Sequence, residues 1–325
     1  MGSNYQDSII INALDYSLFN RDYMEYLKNS NTTAVSTTVT ALQSCRETMD
    51  LLGEWYKKFR ENSDIIMQVF KASDIERAKK EGKVAVILNF QNTSPIEDNL
   101  NLLALYKKLG IRIIQITYNP RNLVGDGCIE KSNVGLSDFG RNLVRELNNL
   151  NILIDLSHVG ERTSLEAIEH SEQPCAFTHA NPSALFKVPR NKSDECIKAL
   201  AEKGGVVGAN AFPTFISDHK SEQNLDKYLD NIEYLVDLVG IEHVGIGTDF
   251  IEGQPPEFFT SRTGIGSYHT PGTMPWPCKF PEGIENSADL QKVWNGLLKR
   301  GYSENDAKAI LGENFLRLFK EVWGE

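Results

Sequence analysis

Asn151-Ile152-Leu153-Ile154-Asp155-Leu156-Ser157-His158 is the stretch that decides the fold. Its apolar residues run on without alternation, which is how a strand buried on both faces reads, and it then ends in a hydroxyl and an imidazole. Working outward, short apolar or β-branched runs of the same kind recur at residues 8–14, 33–39, 84–90 and 111–117, and again at 175–178, 205–210 and 244–248. With 151–156 these make eight, and residues 65–70 add a ninth candidate, either an extra strand or a buried turn. Helical patterns lie between them. Leu103, Tyr106 and Leu109 fall on one face of a helix over 100–109 that Gly110 stops. Ser137-Asp138 supplies an N-cap for a helix over 139–150, and 226–239 and 288–298 read the same way.

Strand–helix alternation repeated in this way predicts an α/β fold, a (β/α)8 TIM-type barrel, with a doubly wound open sheet as the runner-up. No Gly-rich linker, repeat or low-complexity segment divides the 325 residues, so one barrel domain over 1–325 is expected. The Pro/Gly-rich stretch 253–283 reads as a long loop after the eighth strand.

Composition narrows the partners. The net charge of −10 disfavours nucleic acid or an anionic membrane surface, both of which need a basic face. No apolar run reaches the roughly 18 residues of a membrane span. The five cysteines are widely spaced with no CxxC, and the N-terminus has neither a basic nor a long apolar segment. A cytoplasmic protein with reduced thiols and a small-molecule substrate is expected.

A barrel carries its active site where its strands end. Here the third ends in Gln91-Asn92, the fourth in Tyr118-Asn119, the fifth in Ser157-His158, the sixth in Thr178-His179 and the eighth in Thr248-Asp249. Two imidazoles and a carboxylate at one mouth are the residue types a hydrolytic Zn²⁺ site uses. The bland alternatives are a neutral His158 bonded to a loop backbone and an Asp249 that caps the following segment. Arg190 follows the sixth strand, where a guanidinium could clamp a substrate carboxylate or could pair with Asp194 on the surface. The loop 119–128 (NPRNLVGDGC) lacks the Lys-Ser/Thr pair of a phosphate loop and either lines a pocket or turns the chain. His170, His219, His243 and His269 read as solvated surface and receive no role.

These residues resemble the membrane (renal) dipeptidase family. The resemblance rests on Asp155-Leu156-Ser157-His158-Val159, Phe177-Thr178-His179, Pro189-Arg190-Asn191 and Gly245-Ile246-Gly247-Thr248-Asp249-Phe250. Gly135-Leu136-Ser137-Asp138-Phe139-Gly140 and Gly312-Glu313-Asn314-Phe315 belong to it as well. It implies an amidohydrolase-superfamily barrel, often homodimeric, that hydrolyses dipeptides with two zinc ions. His158 and His179 match the family's histidine ligands, Arg190 the arginine that holds the substrate carboxylate, and Asp249 the catalytic aspartate.

The chain also departs from the family. Leu14 and Tyr16 stand where a His-x-Asp metal pair is expected, with Asp15 a weak candidate should the alignment slip by one. Gln91 replaces a bridging glutamate and Tyr118 a substrate-binding histidine, so both are expected at the substrate. Without those carboxylates two dications would repel, and at most one zinc is expected. The implied activity is hydrolysis of a small amide or dipeptide-like substrate with a free carboxylate. The alternative is a metal-free or repurposed barrel that binds or transforms a small carboxylated metabolite.

Overall fold

The computed structural model describes residues 4–255 and 278–325. Among the described residues, nine parallel strands form one sheet: β1 (Ile11–Asp15), β2 (Ala34–Thr40), β3 (Ile66–Gln68), β4 (Val84–Phe90), β5 (Ile111–Gln115), β6 (Leu153–Asp155), β7 (Ala176–Phe177), β8 (Val206–Ala209) and β9 (Val244–Ile246). Eight follow the order β1-β2-β4-β5-β6-β7-β8-β9. The ends of that path meet. Asp15 bridges Phe250 in parallel, Asp249 N–H donates to Leu14 O at 3.0 Å, and Tyr16 N–H donates to Phe250 O at 2.7 Å. That closure makes the sheet a barrel and removes the doubly wound alternative.

The ninth run is an extra strand. β3 pairs with Val84–Val86 while β5 pairs with Leu88–Phe90, so the two share one edge of β4, one below the other. Gly110 sits at that junction with φ +91°, where a Cβ would overlap the Gln68 amide. Several strands are shorter than the apolar runs suggest. Residues 151–156 contribute only Leu153–Asp155, since Ile152 N–H still turns back to Leu147 O at 3.0 Å, and Thr248 lies beyond β9, its N–H donating to the Asn12 side chain at 2.9 Å.

Helices α1 (Arg21–Asn29), α2 (Cys45–Glu61), α3 (Ser73–Glu81), α4 (Leu102–Lys108), α5 (Asp138–Asn149), α6 (Glu161–His170), α7 (Asp194–Glu202) and α8 (Leu225–Val239) follow the strands. Then come α9 (Leu290–Lys299), α10 (Glu304–Lys308) and α11 (Asn314–Trp323). Their starts are chemically marked. Ser137 Oγ accepts from Gly140 N–H at 2.9 Å, as its N-cap reading requires, and Ser44 and Glu47 close a capping box on α2. The expected loop at 253–283 lies mostly outside the described residues.

Two apolar clusters build the core. One lies between the strands and the surrounding helices. The other fills the barrel interior with Ile11, Ala13, Ala34, Ala85, Ile87, Ile113 and Leu153, and is closed by Phe315, Phe319 and Trp323 of α11. That helix touches β1, β6, β8 and β9, strands from different sides of the barrel, so it lies across the end opposite the site. Gly245 in β9 leaves room for the Phe315 ring, which a Cβ there would strike.

Candidate active site

Above the apolar plug the interior turns polar. Asn12 Nδ2 donates to Thr248 Oγ1 at 2.7 Å, and Asn89 Nδ2 donates to Ser36 Oγ at 2.8 Å. Gln115 Nε2 donates to Gln91 O at 2.6 Å. These bonds satisfy groups that would be costly if buried alone, and they form the floor on which the strand-end residues sit.

His158 and His179 meet there. Their Nε2 atoms are 3.0 Å apart and both rings are buried. The far nitrogen of each ring faces an oxygen: His158 Nδ1 lies 2.7 Å from Asn119 Oδ1, and His179 Nδ1 lies 2.7 Å from Thr178 Oγ1. Thr178 in turn donates to Asp155 Oδ2 at 2.8 Å. Burial, and then the nearby cations Arg190 and Lys192, push the His179 pKa well below its ordinary value, so that ring is neutral. Tyr118 stacks on His158 with ring centroids 4.2 Å apart, and Gln91 Nε2 lies 3.3 Å from His179 Nε2. The Gln91 amide oxygen is buried and accepts no hydrogen bond among the described residues.

Arg190 is buried, not on the surface. Its guanidinium donates to Ser157 O and, at 3.1 Å, to His179 O, and lies 5.0 Å over the Phe215 ring. The surface pairing with Asp194 does not form: Asp194 Oδ2 instead accepts from Tyr234 Oη at 2.8 Å. Arg190 Nε is buried without a partner among the described residues. Asp249 completes the group. It is held at φ +60°, a left-handed backbone that a non-glycine residue adopts at a cost of roughly 1–3 kcal/mol. Burial pushes its pKa up to about 7, opposed by Arg190 and by the Asn210 amide, which donates to its Oδ2 at 3.4 Å.

Asp15 does not join them. Its Oδ2 accepts from Tyr23 Oη of α1 at 2.6 Å and its Oδ1 from Ser17 N–H at 2.9 Å, so the carboxylate faces the helix layer. Tyr16, just past the end of β1, packs instead with Tyr118, Ala41 and Leu42 on the site side. The register therefore has no slip, and phenol and apolar groups fill the place where the His-x-Asp pair is expected. His170 and His219 are exposed as read, but His243 is half-buried and donates from Nδ1 to Gly205 O at 2.8 Å. His269 lies outside the described residues.

The donor set can be tested against a metal ion. Two imidazole nitrogens 3.0 Å apart, with the Gln91 amide 3.3 Å from His179 Nε2, fit one ion. Among the described residues no group of three or more His, Cys, Asp or Glu side chains converges, so a second ion has no anionic shell. Asn119, Thr178 and Asn210 also belong to the site, although the sequence does not mark them. Their only signal was a short polar side chain at a strand end.

Comparison with known proteins places the chain in a family and a fold. A family model described as membrane dipeptidase, peptidase family M19, matches residues 11–259 and 264–323. Dipeptidase tcpJ of Claviceps purpurea is 24% identical over 302 residues, which is 92% of this chain and 65% of that protein, so the chain spans less than two thirds of that relative. An amidohydrolase from Pseudomonas aeruginosa is 36% identical and superposes with a TM-score of 0.92 over 98% of both chains. A metallo peptidase from Rhodobacter sphaeroides, solved with a phosphinate mimic of the dipeptide L-Ala-D-Ala, shares the fold at 18% identity and a TM-score of 0.78, over 97% of this chain and 100% of the other. The family model spans nearly every strand and helix described above, and the chain belongs to the membrane dipeptidase family, peptidase family M19.

Proposed function

We propose that the protein hydrolyses a dipeptide or a similarly small amide with a free carboxylate, using at most one zinc ion held by His158 and His179. The observation that carries this reading is the 3.0 Å approach of two Nε2 atoms whose rings each present Nδ1 to an oxygen. Two lone pairs at that distance repel unless a cation or a proton lies between them. Zinc bound there would act as a Lewis acid and lower the pKa of a bound water.

The chain's own residues supply the rest. Arg190 is already fixed by two carbonyls and has an unpartnered Nε–H, which suits it to orient the substrate carboxylate. Asp249, with a pKa of about 7, populates both protonation states near neutrality. It can therefore take a proton during attack on the amide carbon and return it to the leaving amine. Tyr118 and Gln91 line the substrate side, the phenol as a flat apolar wall and the amide as a neutral hydrogen-bonding group.

The second reading, a metal-free or repurposed barrel acting on a small carboxylated metabolite, is favoured by one observation: Leu14 and Tyr16 supply no metal ligand on β1. The expected setting in either case is one barrel domain over 1–325, cytoplasmic and homodimeric.

Metal analysis of protein purified without chelators, together with a panel of dipeptides, decides between the readings. The hydrolase reading expects about one equivalent of zinc, activity lost on chelation and restored by Zn²⁺, and no turnover by Asp249→Asn or His158→Ala. Less than about a tenth of an equivalent of any transition metal, with no activation by added Zn²⁺, would refute it.

A further inference from the structure

The loop 119–129 between β5 and α5 encloses His158 by several bonds at once. Cys128 N–H donates to His158 O at 2.9 Å, Gly127 bridges Val159, and Gly160 N–H donates to Asp126 O at 2.9 Å. At the head of the loop Asn119 is held at φ +60°, and Ile129 N–H donates to its carbonyl at 3.2 Å. Gly127 passes so close to that same carbonyl that any Cβ would overlap it. The outcome of this local strain is the position of one atom. Asn119 Oδ1 lies 2.7 Å from His158 Nδ1 and 3.3 Å from Cys128 Sγ, which donates to it. The amide oxygen has no proton to give, so it accepts from the ring, and His158 Nδ1 must carry the hydrogen.

We infer that Asn119 is a positioning residue that fixes His158 as its Nδ1–H tautomer and aims the Nε2 lone pair at His179. This rests on the reading of the imidazole pair as a ligand site and extends it to a residue that touches neither metal nor substrate. The partner ring is set by different chemistry. His179 Nδ1 gives its hydrogen to Thr178 Oγ1, whose own hydrogen goes to Asp155. One imidazole is therefore backed by a neutral amide and the other by a hydroxyl–carboxylate relay, so the two differ in basicity although both end in the same nitrogen. An asparagine suits its side of the pair for two reasons: it tolerates the left-handed backbone, and it accepts without adding charge.

The test uses two variants of the full chain. Asn119→Gly keeps the backbone comfortable at φ +60° and removes the acceptor; Asn119→Asp keeps an acceptor oxygen in place. The first readout is the ¹⁵N shifts of the His158 ring in the metal-free chain, which distinguish a protonated from an unprotonated nitrogen. The second is zinc affinity by competition with a chelator. The expected result is Nδ1–H in the wild type and in Asn119→Asp, loss of that preference in Asn119→Gly, and a 10–100-fold drop in zinc affinity for the glycine variant alone. The inference is overturned if His158 carries its hydrogen on Nε2 in the wild type, or if Asn119→Gly leaves the tautomer as it was. A chain that binds no zinc refutes the hydrolase reading, while the ring shifts still decide the role of Asn119.

Discussion

Asp15→Asn should stabilise the protein at neutral pH and leave it unchanged in mild acid. Asp15 is fully buried against α1, and burial raises its pKa from 3.8 to about 6, even though Tyr23 and Ser17 donate to it. The sign follows from linkage. Below 3.8 both the folded and the unfolded chain hold the proton, and the carboxyl costs nothing. As the pH rises toward 6 the unfolded chain ionises first, and stability falls by about 1.4 kcal/mol per pH unit. The loss amounts to roughly 3 kcal/mol and is complete above the folded pKa. Asparagine has the shape of the neutral acid: its oxygen accepts one of the two bonds and its NH2 faces the other partner. The variant should match wild type near pH 4 and exceed it by up to about 3 kcal/mol near pH 8. Denaturant unfolding of both proteins across that range measures the gap. A gap that does not widen with pH would show that the Asp15 carboxylate is not penalised by burial, and the reasoning would fail.

Other outcomes follow from packing. Gly127→Ala should cost about 1–3 kcal/mol or more, because the added methyl meets backbone atoms of Asn119 and Pro120 that have no room to retreat. It should also weaken zinc binding by moving Asn119; a variant with wild-type melting temperature would mean that the loop yields easily. Phe315→Ala should lower stability by about 3–5 kcal/mol, since the ring is fully buried in the interior plug against β9. A denaturant midpoint within error of wild type would contradict its place in the core.

The sequence carries the barrel in a particular way. Runs such as 84–90 are legible because a strand covered on both faces cannot alternate, and Gly110 and Ser137 mark helix ends by their own chemistry. Strand limits are not legible, because Thr248 and Leu156 are as apolar or β-branched as the residues before them, and the switch of Thr248 N–H to the Asn12 side chain leaves no mark in the sequence. At the site, His158, His179 and Asp249 stand out as ionisable groups at strand ends, and the structure brings the two imidazoles into contact. Arg190 shows how position along the chain misleads. The surface pairing with Asp194 and the buried guanidinium read identically in sequence, and only the fold turns the side chain toward Ser157 and His179. Asn119 and Thr178 are not legible in the sequence, because their role depends on which atom of another residue they face, and no local pattern records that.

The helix 314–323 that seals the lower end of the barrel follows every strand in the chain. During translation the strands can therefore leave the ribosome and begin to pair while Ile11, Ile87, Ile113 and their neighbours still open onto water at that end. The sheet is the earlier product and its stopper emerges after it, so the interval between them is when a nascent chain would be most exposed to chaperone capture or to sticking to another copy.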